Sequence, residues 1–270
     1  MTELRGYTVV ITGAAQGVGL AIATACAEEG ANLALIGSKQ SESKMGDVIT
    51  ALKEHADNTN IHYFVADLTD DNSIQDSLTN IVNHYGAIDV LINNASVILP
   101  GQVQNTAMAQ YDLMHNINMR APYVLSKFAY QYLNKSDHIP QIINIAPPMN
   151  LDPKCLAKHC AYTSSRYALS LYTVALSEEY RDQITVNALW PKCTIDASDS
   201  CNIIAGTYEK ISNAKRSPNI MADALIYMIT EAKYDKTGEF IIDEELLNEY
   251  DVDLSVYQND DAVLQKETFC

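Results

Sequence analysis

The sequence predicts a doubly wound α/β fold, in which helices cover both faces of a parallel, Rossmann-type sheet of about seven strands. Short apolar runs alternate with longer amphipathic stretches along the whole chain, and the first run leads into a glycine-rich turn. Runs that are apolar throughout are typical of parallel strands buried on both faces. The 270 residues, 47% of them hydrophobic, suit one domain spanning 1–270, because α/β folds of about 200–250 residues are commonly single domains.

The strands are the apolar runs that are too short to form helices. Turn residues separate each run from the amphipathic segment that follows it. The predicted strands are Tyr7–Thr12, Asn32–Ile36, His62–Ala66, Val90–Ile92, Gln141–Ile145, Thr185–Leu189 and Phe240–Ile242.

The helices are the longer segments in which apolar residues recur with helical periodicity. Gly30 is expected to end the first helix, because glycine adopts the left-handed conformation that ends many helices. We expect Lys192–Asn219 and an acidic C-terminal tail from about Glu244 to be the least regular parts. The predicted helices are Val18–Glu29, Ser41–His55, Ser73–Tyr85, Met108–Leu133, Ala161–Tyr180 and Met221–Glu231.

The excess of acidic side chains argues against two classes of partner. The chain has 18 basic and 34 acidic residues and a formal net charge of −16. Nucleic acids need a basic patch to neutralise their phosphates, and anionic membranes attract basic segments. No apolar run approaches the roughly 18–20 residues that span a membrane. We therefore expect neither a nucleic acid nor a membrane as partner.

The cysteines indicate a reducing compartment. The six cysteines contain no CxxC pair, which favours free thiols and a cytoplasmic protein over a disulfide framework. Because a strand is predicted within a few residues of Met1, we expect no signal peptide. His159 and Cys160 alone do not supply a structural metal site, so we expect no metal.

A glycine-rich turn joins the first predicted strand to the first helix. Its sequence is Thr12-Gly13-Ala14-Ala15-Gln16-Gly17-Val18-Gly19. Glycines let the backbone turn tightly and let a pyrophosphate approach, and the N–H groups at a helix start attract phosphate. Because the cluster lies between a strand and a helix, it predicts nucleotide binding. A purely structural turn is the alternative.

This TGxxxGxG spacing begins a series of motifs that resembles the short-chain dehydrogenase/reductase family over nearly the whole chain. Three stretches are also similar to its hydroxysteroid-dehydrogenase-like subgroup: 144–150, 188–192, and 220–224 with 237–244. The resemblance implies an oxidoreductase that interconverts a small-molecule carbonyl and a secondary alcohol. It also implies a homodimer or homotetramer, since helices 108–133 and 161–180 pair across a two-fold axis in the family. The remaining family motifs are Asp67, Asn93-Asn94-Ala95-Ser96, Asn118, Tyr162-Thr163-Ser164-Ser165-Arg166 and Val186-Asn187-Ala188-Leu189-Trp190-Pro191.

The residues after the second strand favour NADP over NAD as the cofactor that the resemblance implies. An acidic residue there would bind the adenosine ribose and repel a 2′-phosphate. The sequence instead has Ser38 and Lys39, which can donate hydrogen bonds to that phosphate. A solvated Lys39 is the alternative. NAD also remains possible, because Gln16 replaces the basic residue that many NADP-dependent relatives have in the glycine turn.

The resemblance also assigns the other cofactor contacts. Asp67 would bind the adenine amino group, and Asn93 would lie beside the cofactor ribose. The expected cofactor-binding residues are Gly13, Gln16, Gly17, Val18, Gly19, Ser38, Lys39, Asp67, Leu68, Asn94, Ala95, Tyr162, Arg166, Pro191 and Lys192.

The expected catalytic residues are Tyr162, Arg166 and Asn118. Carbonyl reduction needs a proton donor for the developing alkoxide. Tyr162 lies four residues before Arg166, so a helix would put both on one face, and a fixed cation favours the phenolate. In the family this cation is a lysine that also binds the nicotinamide ribose, whereas arginine is bulkier and does not relay a proton. By resemblance, Asn118 would anchor a proton-relay water.

The serine that polarises the carbonyl in the family is absent. After the fifth strand the sequence is Ala146-Pro147-Pro148, without a hydroxyl. An oxyanion donor is commonly worth ~3 kcal/mol, so reduction should be slowed unless Asn150, Lys192 or Thr194 substitutes. The leading hypothesis is an NADP-preferring oxidoreductase. The alternative is a nucleotide-binding sensor or scaffold with impaired catalysis.

Overall fold

The computed structural model describes residues 3–56, 60–157, 159–193, 195 and 216–258. Their strands form one seven-stranded sheet in the order β3–β2–β1–β4–β5–β6–β7, in which every neighbouring pair is parallel. The strand order reverses between β1 and β4, which opens a crevice at the carboxyl ends of these two strands. The strands are β1 (Thr8–Thr12), β2 (Asn32–Gly37), β3 (Ile61–Val65), β4 (Val90–Asn93), β5 (Gln141–Ile145), β6 (Thr185–Trp190) and β7 (Phe240–Ile242).

Helices cover both faces of this sheet. Val9 and Ile11 of β1 belong to one apolar core and Val10 to the other, because successive side chains of a strand point to opposite faces. The doubly wound fold class is therefore confirmed. The helices are α1 (Gly17–Glu28), α2 (Glu42–His55), α3 (Asp71–Tyr85), α4 (Met108–His115), α5 (Ala121–Leu133), α6 (Pro153–Leu156), α7 (Cys160–Glu179), α8 (Asn219–Thr230) and α9 (Asp243–Glu249).

The expected continuous helix 108–133 contains a wider turn. A π-helical segment, Asn116–Arg120, separates α4 from α5 and carries the fully buried Asn118. Apolar periodicity does not reveal such a turn, because the segment still presents one face to the core. Single π turns inside helices are often found at functional sites.

The beginning of the expected acidic tail packs onto the domain. Helix α9 starts directly after β7, and its Leu247 is fully buried. A short 3₁₀ turn, Leu254–Tyr257, follows and buries Tyr257. Residues 259–270, together with 194 and 196–215 of the expected irregular segment, lie outside the described residues.

The helices within the described ranges include none with the length and apolarity that crossing a membrane requires. In the same ranges Cys26, Cys160 and Cys193 are free thiols. The cytoplasmic location stays a prediction.

Candidate active site

The carboxyl edge of the sheet brings the sequence motifs together. Because all seven strands are parallel, the segments that follow them emerge at the same edge. The glycine turn follows β1, Asn94 follows β4, Ala146 follows β5 and Pro191 follows β6.

The glycine turn has a backbone that only glycine fits well. Gly13 and Gly17 have φ angles of +72° and +57°, which place both in the left-handed region that other residues rarely adopt. A Cβ on Gly19 would collide with the Gly13 carbonyl oxygen and lie 2.5 Å from Asn94 Nδ2. The turn is therefore held compact where helix α1 begins.

A threonine and an asparagine lock this turn to β4. Thr12 Oγ1 accepts hydrogen bonds from the backbone N–H groups of Asn94 and Ala95, both at 3.0 Å. The Asn94 amide donates to the Thr12 and Gly13 carbonyl oxygens at 2.9 and 3.2 Å. The Asn94 side chain thus shapes the turn. Thr12 was not among the expected site residues, although its place before the first glycine was the available signal.

The Asn93 side chain lies inside the core. It is only 2% exposed, and its Nδ2 donates to Asn144 Oδ1 at 2.8 Å. The Asn144 amide in turn donates to Thr173 Oγ1 at 2.9 Å. This chain of amides ties β4, β5 and α7 together and does not bring the Asn93 side chain to the crevice.

The segment after β2 carries hydroxyl and ammonium groups. Lys39 begins a 3₁₀ turn, Lys39–Ser41, and its side chain is exposed. The Tyr63 hydroxyl donates to the Ser38 carbonyl oxygen at 2.5 Å and supports this turn from β3.

Lys44 Nζ donates to Gln16 Oε1 at 2.8 Å, so α2 supplies a cation beside the glycine turn. Sequence reasoning missed Lys44, because only the fold brings it next to Gln16.

Asp67 has a fixed orientation at the end of β3. Its Oδ1 accepts hydrogen bonds from the Thr69 backbone N–H at 2.8 Å and from the Thr69 hydroxyl at 2.7 Å. These bonds lower the pKa of Asp67 below its ordinary value, which keeps the carboxylate charged and able to accept further bonds. The adjacent Leu68 is buried and anchors the turn to the core.

Arg166 is a buried cation with unused donors. Only 6% of the residue is exposed, and Nη2 donates to the Ile145 carbonyl oxygen at the end of β5 at 2.7 Å. Its Nε and Nη1 have no hydrogen-bond partner in the described part of the chain. Tyr162 lies one turn earlier in α7 and is partly buried. A buried charge with open donors is costly unless a ligand supplies acceptors.

The Asn118 side chain connects three segments around Tyr162. Its Oδ1 accepts the Val97 N–H at 2.7 Å, and its Nδ2 donates to the Val97 carbonyl at 2.9 Å and to Ser165 Oγ at 3.0 Å. The Ser165 hydroxyl donates to the Tyr162 carbonyl oxygen at 2.7 Å. The Asn118 side chain therefore uses its oxygen and its nitrogen in bonds to other residues of the chain, and these bonds position the backbone around Tyr162.

The segment after β5 supplies no hydroxyl in Ala146, Pro147 or Pro148. Of the three possible substitutes, Asn150 uses its side-chain oxygen to accept the Asp152 N–H at 2.9 Å. Lys192 Nζ donates to Glu245 Oε1 at 2.7 Å, and this carboxylate holds the pKa of Lys192 above its ordinary value. Thr194 lies outside the described residues.

Comparisons with known proteins identify the family of this chain. Residues 7–199 match a family model described as short chain dehydrogenase. The chain is 40% identical over 260 residues to hydroxysteroid dehydrogenase-like protein 2 of Xenopus laevis, covering 94% of this chain and 61% of that protein. It is 38% identical over 251 residues to the Homo sapiens protein of the same name, covering 92% and 59%. The chain thus spans about three fifths of the length of these relatives.

Solved structures share the fold. A short chain dehydrogenase from Mycobacterium thermoresistibile superposes with a TM-score of 0.85 at 29% identity, covering 97% of this chain and 95% of that chain. One from Burkholderia cenocepacia, solved in complex with NADP, has a TM-score of 0.76 at 22% identity, covering 89% and 97%.

The glycine turn can be tested without any ligand. Gly19→Ala should lower the free energy of unfolding by about 1–3 kcal/mol, because its Cβ has no space between the Gly13 carbonyl and Asn94. Gly46→Ala is the matched control: it lies exposed in α2 with nothing near its Cβ, and it should raise stability by about 0.5–1 kcal/mol. Urea unfolding measures both changes. A Gly19→Ala protein as stable as the wild type would contradict the tight turn.

Proposed function

Because this chain belongs to the short-chain dehydrogenase family, we propose that it is an NADP-preferring oxidoreductase that interconverts a carbonyl and a secondary alcohol. Tyr162 is the general acid and base, and Arg166 is the cation that binds the nicotinamide ribose. The observation that carries this proposal is the buried Arg166 guanidinium, two nitrogens of which find no acceptor among the residues that the structure describes.

The unused donors of Arg166 suit a sugar. A guanidinium has several N–H donors in one plane, and the Ile145 carbonyl uses only Nη2. An unmet buried donor costs about 1–3 kcal/mol, more for a charged group. The two hydroxyls of a ribose are acceptors that can relieve this cost. A cofactor bound there would lie beside Tyr162, on the same helix.

The crevice between β1 and β4 fits the rest of a dinucleotide. The compact glycine turn and the first N–H groups of α1 suit a pyrophosphate. When bound, the nicotinamide supplies or accepts the hydride of the reaction. Tyr162 Oη then gives a proton to the developing alkoxide or takes one from the alcohol, and the Arg166 charge stabilises the phenolate.

The cations near the adenosine end support a preference for NADP. No carboxylate follows Gly37 at the end of β2, and Ser38 and Lys39 stand there instead. Lys44 adds a second cation beside Gln16, where many NADP-dependent relatives have a basic residue. A 2′-phosphate bound here would be attracted by these cations, whereas positions 38 and 39 offer the hydroxyls of a bare ribose no carboxylate.

This preference predicts that NADPH binds more tightly than NADH. Lys39→Ala should weaken NADPH binding about 10-fold and leave NADH unchanged, because it removes a charge-assisted bond to the 2′-phosphate. Isothermal titration calorimetry with both cofactors measures the difference. Lys53→Ala, an exposed lysine farther along α2, is the control and should alter neither affinity. Equal affinities of the wild type for both cofactors would contradict the preference.

The second candidate is a nucleotide-binding sensor or scaffold that no longer catalyses. Two observations favour it: residues 146–148 offer no hydroxyl to polarise a carbonyl, and arginine occupies the position of the family lysine. Both functions require cofactor binding, so stoichiometric binding of NADPH without turnover across a carbonyl panel would favour this candidate.

Variants of Arg166 separate the two candidates. If the protein is an enzyme, Arg166→Ala should abolish turnover and weaken NADPH binding, because the ribose loses its donor and the phenolate its cation. Arg166→Lys restores the smaller, relay-competent group of the family and should raise turnover if the site closes around it. Steady-state assays that follow NADPH absorbance, with binding measured in parallel, give both quantities.

The double variant Arg166→Lys with Pro147→Ser shows what the site has lost. A large gain only in the double variant indicates a former enzyme, since both missing groups are then needed. Wild-type turnover that both changes impair indicates a site adapted to arginine. If all variants bind NADPH and none reacts with any carbonyl tested, the enzyme proposal is wrong.

We also propose that the protein is a homodimer or homotetramer that pairs through α5 and α7. Tyr123 of α5 and Leu171 and Val174 of α7 are 48%, 64% and 49% exposed. Tyr123 and Tyr172 are in ring contact, with centroids 5.5 Å apart, so the two helices adjoin at this surface. Such a surface suits an isologous interface around a two-fold axis.

The interface predicts a mass in solution that is a multiple of 29.8 kDa. Leu171→Glu combined with Val174→Glu should yield monomers, because two carboxylates would be buried against their copies. Leu151→Glu, which changes a leucine that is 74% exposed outside these two helices, should leave the assembly intact. Light scattering at micromolar concentration measures the masses, and a monomeric wild type would contradict the assembly.

A further inference from the structure

We propose that the acidic start of α9 positions the cofactor-binding segment that follows β6. In this arrangement Asp243 and Glu245 hold Lys192 by its backbone and its side chain, so that Pro191 and Lys192 reach the cofactor in a fixed conformation. The inference rests on the proposed function, together with the cofactor contacts that the family resemblance implies for Pro191 and Lys192.

Asp243 holds the backbone of this segment. Its Oδ1 accepts the Lys192 N–H at 2.8 Å and the Glu244 N–H at 2.7 Å, so one oxygen joins the end of β6 to the start of α9. The residue is fully buried, and its Oδ2 has no hydrogen-bond partner among the described residues. Burial raises the pKa of Asp243 to about 6. Burying a carboxyl group of which only one oxygen is hydrogen-bonded costs folding free energy, and an apolar side chain would fill the same space without that cost. This cost favours a specific role for the bonded oxygen.

The two residues after Asp243 hold neighbouring groups. Glu245 Oε1 accepts from Lys192 Nζ at 2.7 Å, in a pair that is largely exposed. Glu244 Oε1 lies 2.6 Å from Nε of the buried Arg216 and 3.6 Å from Cys193 Sγ. Lys192 is therefore held by its backbone N–H and by its ammonium group, and the following Cys193 is held through its thiol.

The sheet fixes this contact in space. Trp190 pairs with Ile242 in the parallel register of β6 and β7, so both strands end side by side. The Trp190 ring stacks on Phe240 with centroids 4.5 Å apart and an interplanar angle of 9°. Because α9 starts at the residue after Ile242, this register places Asp243 beside Pro191, within reach of the backbone N–H of the next residue, Lys192.

Asp89 provides a structural comparison at the opposite edge of the sheet. It is 3% exposed, and its Oδ2 accepts the Thr8 N–H at 2.7 Å, where β1 begins. Like Asp243, it is a buried carboxylate bound to a backbone N–H. Unlike Asp243, it lies at the amino edge, away from the crevice. Removing Asp89 should therefore affect stability and not cofactor binding.

The experiment compares Asp243→Ala, Asp243→Asn and Asp89→Ala in the full chain. Hydrogen exchange of the Lys192 amide in the absence of cofactor reports on the segment itself. Trp190 is the only tryptophan and precedes Pro191, so energy transfer from it to added NADPH reports binding. We expect Asp243→Ala to accelerate exchange of the Lys192 amide about 100-fold and to weaken NADPH binding about 10-fold. Asp243→Asn should stay near the wild type in both, because its amide oxygen still accepts.

Asp89→Ala should lower the melting temperature and leave both readouts near wild-type values. Equal effects of Asp89→Ala and Asp243→Ala would overturn the positioning role, because general destabilisation would explain them. If Asp243→Ala does not fold, Glu245→Gln decides: about threefold weaker NADPH binding supports the role, and unchanged binding overturns it. If the wild type binds no NADPH, the proposed function fails, and exchange at Lys192 alone decides whether Asp243 holds the segment.

Discussion

The parallel pairing of β1 with β4 is the constraint on which the rest of the site depends. These strands are adjacent in the sheet although two strands and three helices separate them in the chain. Their pairing places Thr12 beside Asn94, and the hydrogen bonds between these residues shape the glycine turn. Any loss of register here would move the turn relative to every group that follows β4, β5 and β6. The compact turn and the crevice are thus consequences of one strand pair.

Helix α7 is the second element that organises the site, and its polar face is turned inward. Arg166 donates to β5, Ser165 accepts from Asn118 in the π turn, and Thr173 accepts from Asn144. Two of these bonds join α7 to β5 and one joins it to the π turn, all at buried positions, where hydrogen bonds are strong and unmet groups costly. Tyr162 therefore stands on a helix whose place and rotation are fixed by three polar contacts as well as by apolar packing.

The sequence predicted the strands and helices well, but it did not predict which partners the polar side chains bind. Apolar periodicity located the seven strands, because a doubly covered parallel sheet leaves a strong local signal. Spacing of the glycines located the turn, because backbone angles depend on local residues. Three side-chain hydrogen bonds depend instead on contacts between segments that are distant in the sequence. They join Lys44 to Gln16, Lys192 to Glu245, and Asn93 to Asn144. No local pattern encodes such contacts. The π turn at Asn118 was missed for a related reason, since its wider geometry serves a bond to Val97 rather than the helix itself.

The two departures from the family pattern meet at one place in the structure. Arg166 Nη2 donates to the carbonyl of Ile145, and the residues that lack the serine hydroxyl begin at the next position. The guanidinium is longer than an ammonium and reaches the end of β5 directly. Proline at 147 and 148 removes backbone N–H donors as well as the hydroxyl. Positive charge is therefore retained in this part of the site while neutral donors are lost. In the proposed function, Tyr162 and the charge of Arg166 are the groups of α7 that can polarise a substrate carbonyl, and we expect these two residues to act as one functional unit.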